Sequence, residues 1–388
     1  MRKNVLIVAL VLLVALVGCA DHEHAWSEWK KVKEPTCTEA GSKTRTCIGC
    51  NEVETEEIPA LGHKWNDGET TTEATCKKEG VKTFTCENCK ETRTEAVPVD
   101  YDNGHKFGTD GICSVCNQSQ TMIENAVARV GSTYYETLDG LFEKEKGESI
   151  EVVLLKDAEL SIGANKEKPI GGDSTKSIAI DGNNKTLSFK GCNSDWTYVL
   201  LNNDETVLSI KDATIKKTGY GADGGPWNNH DICFNCKVLL ENVESKTAIA
   251  LYKDASFRNV SISDKNAGQD TYMLWIVANG QTVELDGCVI DGKSSVEKSN
   301  RAVAIKDQYV TDPESVSLLI RDTNISADKK AAILVSSKGG ANIELVNVDI
   351  EGTPDKVNAV WIDNGADYGA NIKDKVIVKG GSVIIEGN

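Results

Sequence analysis

Three things are scarce in this chain of 388 residues: positive charge, long apolar runs and histidine. Its 43 Lys and Arg face 59 Asp and Glu, which gives a formal net charge of −16. Such an acidic surface repels phosphate backbones, so nucleic acid is excluded as an expected partner. After residue 17 no apolar run approaches the ~20 residues that cross a bilayer, so no transmembrane helix is predicted there. Only one of the 5 histidines lies beyond residue 105, which leaves the C-terminal two-thirds short of the commonest general base.

The one long apolar run stands at the N-terminus, over residues 5–17. It follows Arg2 and Lys3 and is too short to span a bilayer, so it is typical of a secretory signal. Residues 16–19 read LVGC and resemble the lipobox of bacterial lipoproteins. The resemblance implies that residues 1–18 are removed, that Cys19 carries lipid, and that residues 19–23 form a linker. It also implies an exported protein, held by that lipid at the membrane or cell surface of a bacterium. A plain signal peptide with an incidental Cys19 is the alternative.

Cysteine is abundant but unevenly placed, because most of the 13 cysteines belong to a repeat with an interval of 39 residues. Units 24–62 and 63–101 each open on His-x-Trp and continue with one Cys and then a Cys-x₂-Cys pair. A shortened unit, 105–117, lacks the first Cys. The candidate metal ligands are His24, Cys37, Cys47 and Cys50, then His63, Cys76, Cys86 and Cys89, then His105, Cys113 and Cys116.

The repeats need a staple. Large apolar residues are sparse over 24–117, so a unit of this size cannot bury enough surface to offset the entropy of the chain. One His and three Cys fill a tetrahedral zinc shell, and a two-residue gap lets both thiolates of a pair reach one ion. We therefore predict one structural zinc ion within each complete unit, with Trp26, Trp29 and Trp65 packed over the sites. A catalytic zinc is not expected, because four protein ligands leave no position for water.

Two points of this zinc prediction stay open. Disulfides suit an exported chain, and although three Cys per unit is an odd number, pairing between units would make the count even. The third unit offers only three obvious ligands, so a complete site is not predicted there.

The repeats resemble Cys-rich tandem repeats of surface proteins from anaerobic gut bacteria. The likeness rests on the His-x-Trp and Cys-x₂-Cys elements and on residues 58–63, which read IPALGH. It covers about a quarter of the chain and implies a stalk or spacer with no assigned chemistry.

Beyond residue 121 a second pattern recurs: apolar residues alternate, a bend residue follows, and another apolar residue comes three positions later. Alternation turns one face of a short strand inward, and Asp, Asn or Gly tolerates the left-handed backbone of a sharp corner. Because stacked copies share a core that one copy cannot enclose, the pattern predicts a parallel β-solenoid. The bend residues are Asp212, Gly287, Asp322, Asn347 and Gly380, with weaker copies at Asn242 and Asn259 and a longer turn at Gly182. The step from Asn242 to Asn259 is short for a full coil.

This signature resembles the right-handed parallel β-helix of the pectate-lyase-like superfamily, which implies an all-β fold over residues 151–388. Residues 134–142 carry apolar side chains three and four apart and predict a helix, and segment 121–150 is expected to cap the first coil. A β-sandwich is the alternative fold. Its hairpins would bring more Asn-Gly and Asp-Gly pairs at short spacing than the chain contains.

The catalytic motifs of that superfamily are not recognisable in the sequence. The Gly-rich stretch 220–236 is a candidate binding loop, with Tyr220, Trp227 and His230 as possible ligand-binding residues. A surface loop stapled through Cys233 and Cys236, by a disulfide or by an extra zinc ion, is the equal alternative. The aromatic residues Trp196, Tyr198, Trp275 and Trp361 are either a sugar-stacking stripe or packing along the solenoid.

The domain order favours a non-catalytic, lipid-anchored surface protein. In this hypothesis the β-helix presents a binding face to a polysaccharide, a host glycan or a host surface, as an adhesin does, and the zinc-stapled repeats form the stalk. The alternative is a polysaccharide lyase or glycoside hydrolase of the pectate-lyase-like superfamily that uses paired carboxylates. No catalytic residue is singled out by the sequence.

Overall fold

The chain forms two compact units, Met1–Gly104 and His105–Asn388. A computed structural model describes residues 23–162, 169–191, 198–219, 231–264, 272–293, 301–307, 310, 312–327, 332–352, 360–362, 375–379 and 385–387. Strands dominate in both units, as the sequence predicts.

The first unit contains two antiparallel three-stranded sheets, one from each complete repeat. Their strands are β1 (Lys30–Lys33), β2 (Gly41–Thr46), β3 (Val53–Ile58), β4 (Glu69–Thr72), β5 (Gly80–Thr85) and β6 (Thr92–Val97), in the orders β1-β2-β3 and β4-β5-β6. The two glycines that open the middle strands have a steric reason. A Cβ on Gly41 would meet the Lys33 carbonyl oxygen at 2.5 Å, and one on Gly80 would meet the Thr72 carbonyl oxygen at 2.5 Å.

These sheets have almost no hydrophobic core. Among described residues 23–104, the buried apolar side chains are those of Cys37, Cys47, Cys76 and Cys86. The long apolar residues Val32, Val53 and Leu61 are exposed. The sequence argument that the repeats cannot fold on burial alone is thus reflected in the structure, and the thiols occupy the place of a core.

In the second unit the shortened repeat 105–117 is followed by a cap that differs in part from the predicted helix. It consists of α1 (Gln120–Asn125), the hairpin β7 (Ala128–Val130) and β8 (Thr133–Tyr135), and α2 (Leu138–Lys144). The helix predicted over 134–142 begins only at Leu138, because Thr137 is its N-cap and accepts a hydrogen bond from the Gly140 N–H at 3.1 Å. The β-branched and aromatic residues before that cap form the strand β8 instead.

This cap closes the first coil in two ways. Strand β7 pairs antiparallel with β9 (Ser149–Leu154), so the first edge of the solenoid does not remain open. The α2 side chains Leu138, Leu141 and Phe142 are buried in the same core cluster as the coils that follow.

The remaining strands form the predicted parallel β-solenoid, with about 6 turns over residues 149–350. They are β10 (Ala158–Ser161), β11 (Ser177–Gly191), β12 (Tyr198–Val199), β13 (Val207–Gly219), β14 (Ile232–Phe234), β15 (Lys237–Ser245), β16 (Ile249–Leu251), β17 (Ala255–Ser263), β18 (Tyr272–Val277), β19 (Thr282–Asp286), β20 (Val289–Gly292), β21 (Arg301–Lys306), β22 (Val316–Arg321), β23 (Asn324–Ala327), β24 (Ile333–Ser336), β25 (Ala341–Val346), β26 (Asp349–Gly352), β27 (Val360–Ile362), β28 (Lys375–Lys379) and β29 (Ile385–Gly387).

Each turn contributes to a large sheet and to a second sheet. The large sheet runs β28-β25-β22-β19-β17-β15-β13-β11-β9-β7-β8, with β10, β20, β23 and β26 attached, and the second runs β12-β14-β16-β18-β21-β24-β27-β29. Strand pairs from β9 onward are parallel, which excludes the β-sandwich alternative. One continuous cluster of buried side chains fills the interior between the two sheets.

Six of the predicted bend residues are corners with left-handed backbone, including Gly287 with φ 63°. The prediction for Gly182 is wrong by one or two residues, because the left-handed residues of that longer turn are Asn183 and Asn184, and Gly380 lies outside the described residues. At the Asp and Asn corners the φ angles are 50° at Asp212, 53° at Asn242, 52° at Asn259, 45° at Asp322 and 53° at Asn347. Neighbouring corners are joined through their side chains, because the Asn242 amide donates to the Asp212 carboxylate at 2.9 Å and the Asn259 amide donates to the Asn242 oxygen at 2.7 Å. Asn and Asp therefore serve twice at these positions, by tolerating the φ angle and by bonding the next coil.

The short step between Asn242 and Asn259 is a complete coil. Strands β15 and β17 pair in parallel on the large sheet, and β16 lies between them in the chain and takes its place in the second sheet. The coil is short because only three residues separate β15 from β16 and only three separate β16 from β17.

A ladder of alternating charge runs across the exterior of the large sheet, one residue before each corner. In strand register Asp181 faces Lys211, Lys211 faces Glu241, and Glu241 faces Arg258, followed by Asp286 and Arg321 on the next two coils. Lys211 Nζ lies 3.0 Å from Asp181 Oδ2, and Arg258 Nη1 lies 3.9 Å from Glu241 Oε1. Opposite charges on neighbouring strands favour this register, and they leave the ladder without net charge.

Candidate metal centres

The four ligand atoms of Cys37, His63, Cys86 and Cys89 lie within 4.8 Å of one another. Cys37 Sγ is 3.7 Å from Cys86 Sγ, and Cys89 Sγ is 3.3 Å from His63 Nδ1. A tetrahedral zinc ion, with Zn–S of about 2.3 Å and Zn–N of about 2.0–2.1 Å, separates two sulfurs by about 3.8 Å and a sulfur and a nitrogen by about 3.5 Å. The thiols of this set are free. The arrangement therefore has the size of a metal-binding tetrahedron.

The His63 ring has a neighbour at both of its nitrogens and on one of its faces. Nδ1 faces the sulfurs, and Nε2 lies 3.4 Å from Glu91 Oε2 on the opposite side. The ring is stacked on Trp65, with centroids 4.9 Å apart and an interplanar angle of 23°, and Arg93 lies over the Trp65 ring. A carboxylate on the second nitrogen of a ligating His holds the tautomer that leaves the first nitrogen free to bind metal. The predicted packing of Trp65 over the site is confirmed.

The protonation of the thiols depends on where the backbone N–H groups point. The N–H of Cys89 donates to the Cys86 sulfur, and with further donors this lowers the pKa of the Cys86 thiol to about 6. Burial, with the neighbouring thiols Cys89 and Cys86, raises the pKa of the Cys37 thiol to about 12. The Cys-x₂-Cys turn thus stabilises a thiolate, whereas Cys37 keeps its proton until a cation replaces it.

The grouping of ligands corrects the prediction that each unit fills its own site. Cys37 belongs to unit 24–62, whereas the other three ligands belong to unit 63–101, and Cys76 is not part of their set. The segment 58–63, which reads IPALGH, explains why a cysteine of the first unit joins the set of the second. The N–H groups of Leu61 and Gly62 donate to the carbonyls of Thr36 and Cys37, at 2.9 and 3.0 Å, and this pairing carries the adjoining His63 to Cys37. Cys76 is buried, and its N–H donates to the Gly104 carbonyl at 3.1 Å.

The first set brings together His24, Cys47 and Cys50, and it repeats the same construction. Cys50 Sγ lies 3.5 Å from His24 Nδ1, and His24 Nε2 lies 3.6 Å from Glu52 Oε2. Trp26 stacks on the His24 ring at 5.0 Å, as predicted. Trp29 does not stack on the ligand histidine and instead lies beneath the Arg45 guanidinium and the Lys43 ammonium.

The third set lies in the second unit, where His105, Cys113 and Cys116 are close together. Cys116 Sγ is 3.5 Å from His105 Nδ1, Phe107 stacks on the His105 ring, and Tyr134 Oη takes the place of the glutamate at 3.1 Å from Nε2. Burial would raise the pKa of the Cys113 thiol, but the Cys116 N–H, the His105 ring and other donors lower it to about 5. The shortened unit therefore has the same ligand geometry as the complete ones.

Glu52, Glu91 and Tyr134 are residues that the sequence argument missed. The two glutamates stand 28 residues after their histidines and 39 residues apart, so the repeat itself contained the signal. Tyr134 lies outside the repeat, and no spacing could have indicated it.

The candidate loop of the solenoid lies largely outside the described residues. Tyr220, Trp227 and His230 lie there, as does the lipidation candidate Cys19. The described end of the loop contradicts a staple through Cys233 and Cys236, because both thiols are free and buried. Cys236 belongs to the interior cluster and Cys233 to a separate cluster on the second sheet, and burial raises the pKa of both thiols.

A buried carboxyl precedes strand β14. Burial raises the pKa of Asp231 to about 7; Lys217 lowers it and Asp264 raises it, and Oδ1 accepts no hydrogen bond. Such a group is costly to ionise.

Two of the four candidate sugar-stacking aromatics are described with their side chains. Tyr198, Cys233, Ala250 and Trp275 follow one another in register across the second sheet. Trp275 is only 6% exposed, and Tyr198 packs against Tyr252 with ring centroids 5.3 Å apart. Trp275 is therefore packing, not a platform for a sugar, while Trp196 lies outside the described residues.

No protein-family model, no curated protein and no solved structure matches the chain. In the described part of the chain, no helix combines the length and the apolar character needed to cross a bilayer.

Proposed function

We propose that this protein is an exported, lipid-anchored and non-catalytic surface protein whose β-solenoid contacts a glycan or a host surface. In this proposal Cys19 carries the lipid, and structural zinc stabilises the Cys/His repeats that hold the solenoid away from the membrane. The N-terminal signal and its lipobox-like end support the export and the anchor.

The geometry of the candidate ligand sets is the main support for structural zinc. Sulfur–sulfur and sulfur–nitrogen distances of 3.7 and 3.3–3.5 Å agree with one ion among them. A mixed sulfur and imidazole donor set favours zinc over calcium or magnesium, which prefer oxygen. Over described residues 23–104 the buried apolar side chains are cysteines alone. Metal binding would therefore supply the folding free energy that a hydrophobic core supplies in other domains.

The exterior of the large sheet supports a contact function. Ala179, Ser209, Leu239 and Ser256 follow one another in register, so small side chains and the exposed Leu239 make a flat track beside the charge ladder. Because the ladder neutralises itself and the chain as a whole is acidic, this face suits a neutral polysaccharide better than an anionic one.

The zinc is tested by metal analysis of the purified protein. Zinc that remains after gel filtration and protects the repeat cysteines from alkylation supports the proposal. A protein without metal and without free thiols would establish disulfides as the staple.

The contact face is tested on an array of neutral and acidic polysaccharides. Ser209→Arg places a long charged side chain on the track, whereas Thr214→Arg places the same group on strand β13 beyond the Asp212 corner and is the matched control. Retention that is lost in the first variant and kept in the second supports the face. Retention of no polysaccharide contradicts it. New reducing ends or unsaturated products would instead establish the lyase or hydrolase alternative, for which Glu284 and Glu344 line one shared surface depression.

A further inference from the structure

The set formed by Cys37, His63, Cys86 and Cys89 takes its ligands from two consecutive repeats. We propose that the metal ion in this set is the joint between the two repeats, so that metal occupancy determines whether they form one rigid piece or two independently moving ones. The inference rests on the proposed structural zinc and adds to it where the ion acts.

Little else joins the two repeats in the structure. Strands β1-β2-β3 and β4-β5-β6 form separate sheets, and no strand of one pairs with a strand of the other in the described residues 23–104. No apolar contact layer lies between them, because the buried apolar side chains of this range are cysteines. A relative orientation held by neither a shared sheet nor a shared core is expected to be mobile.

The covalent link between the repeats is the peptide bond from Gly62 to His63, and the segment just before it is held by the first repeat. Leu61 and Gly62 donate to the Thr36 and Cys37 carbonyls of the same repeat, and the Leu61 side chain is 63% exposed. Two solvent-accessible hydrogen bonds contribute about 0.5–1.5 kcal/mol each and do not fix an orientation by themselves. The residue after them is His63, so a metal ion held by His63 and Cys37 closes the same small loop a second time.

The backbone conformation of Gly62 directs the chain into this loop. Its φ is +73°, a value that L side chains rarely adopt, and a Cβ placed there would meet no atom within 4 Å. The glycine is therefore required by the backbone direction that turns His63 toward Cys37, and crowding plays no part.

Cys37→Ser in the full-length protein is the test, with hydrogen exchange and alkylation mapped by mass spectrometry. It removes the one ligand that comes from the preceding repeat and leaves His63, Cys86 and Cys89 in place. We expect the Leu61 and Gly62 amides to exchange at least ~10-fold faster, while strands β5 and β6 keep their protection. Cys50→Ser, which removes a ligand of the first set, is the control and should leave Leu61 and Gly62 protected.

Cys76→Ser separates this joint from a site contained within one repeat. If Cys37 is the fourth ligand, Cys86 and Cys89 become alkylated in Cys37→Ser and stay protected in Cys76→Ser. The reverse pattern would overturn the inference.

Metal titration distinguishes failure of the joint from failure of the proposed zinc. Cobalt added to the metal-free protein reports thiolate ligands through its charge-transfer absorption, which should weaken in Cys37→Ser. If the wild-type protein binds neither zinc nor cobalt, the structural zinc itself is wrong. If it binds metal, and Cys37→Ser changes neither the spectrum nor the exchange of Leu61 and Gly62, the zinc stands and the joint is refuted.

Discussion

The corner residue Asn242 offers a measurable test of what holds the coils together. It sits at φ 53°, donates to Asp212 at 2.9 Å and accepts from Asn259 at 2.7 Å. Asn242→Gly removes the two side-chain bonds and keeps a residue that accepts this φ. Asn242→Ala removes the same bonds and also forces a Cβ into the left-handed region.

The magnitudes follow from these contributions. Two exposed hydrogen bonds near the low end of the usual range give about 1–2 kcal/mol for Asn242→Gly. Holding Ala in the left-handed region costs about 1–2 kcal/mol more, so Asn242→Ala is expected to lose about 2–4 kcal/mol. Asn324 is an exposed asparagine on strand β23 without positive φ, and Asn324→Ala should change the free energy of unfolding by less than about 0.5 kcal/mol.

Urea unfolding followed by circular dichroism measures all three variants against the wild type, with the slope of each transition checked for a common unfolding reaction. The order wild type, glycine, alanine is the expected ranking of stability. If Ala proves as stable as Gly, left-handed strain does not matter at this corner. If both match the wild type, the side-chain ladder contributes nothing to stability.

Three further predictions concern charge and metal. The pKa of Asp231 is raised from 3.8 to about 7 on folding, so the folded state binds more protons between these values and the free energy of unfolding falls as pH rises through that window. Asp231→Asn should therefore stabilise the protein at pH 8, by at most about 4 kcal/mol, and should have little effect at pH 3.5. Urea unfolding at both pH values measures this difference. An equal effect at the two pH values would contradict the prediction. Arg258→Glu sets like charges beside both Glu241 and Asp286 and should cost up to about 1 kcal/mol at low salt. This loss should shrink as salt is raised, and a loss that does not depend on salt would show that the charge ladder does not cause it. Glu91→Ala should weaken zinc binding about 10–100-fold by freeing the His63 ring, as measured by chelator competition, whereas unchanged affinity would exclude an orienting role for the carboxylate.

The solenoid was predictable because its signal is local. A corner such as Asp322 and the alternating apolar residues on either side of it occupy eight consecutive positions, and each copy carries its own strand, bend and strand. The helix before it was only half correct, because apolar residues three and four apart also suit a strand followed by a capped helix, and Thr137 decided between them. Register across coils, which sets Arg258 between Glu241 and Asp286, follows from stacking and leaves its trace only in the alternating sign of the charge.

The candidate metal sets show what the sequence could not predict. The residue types and the 39-residue interval predicted every residue of the candidate metal sets, but a repeat looks the same whether a cysteine belongs with its own unit or with the following one. Leu61 and Gly62 decide the matter by pairing with Thr36 and Cys37, a contact between segments about 25 residues apart. Sequence spacing sets which residues can bind, and only the path of the backbone between them sets which ones meet.

The amino-acid sequence by itself determined that the chain has a Cys/His-rich, core-poor N-terminal region followed by a parallel β-solenoid, since composition and the short-range alternation of apolar residues fix both. The tertiary structure alone decided that Cys37 lies with His63 in one candidate metal set, that Tyr134 lies beside Nε2 of His105, and that Trp275 is buried. Those relations arise from distances across the fold, where atoms a few ångströms apart belong to residues tens of positions away in the chain.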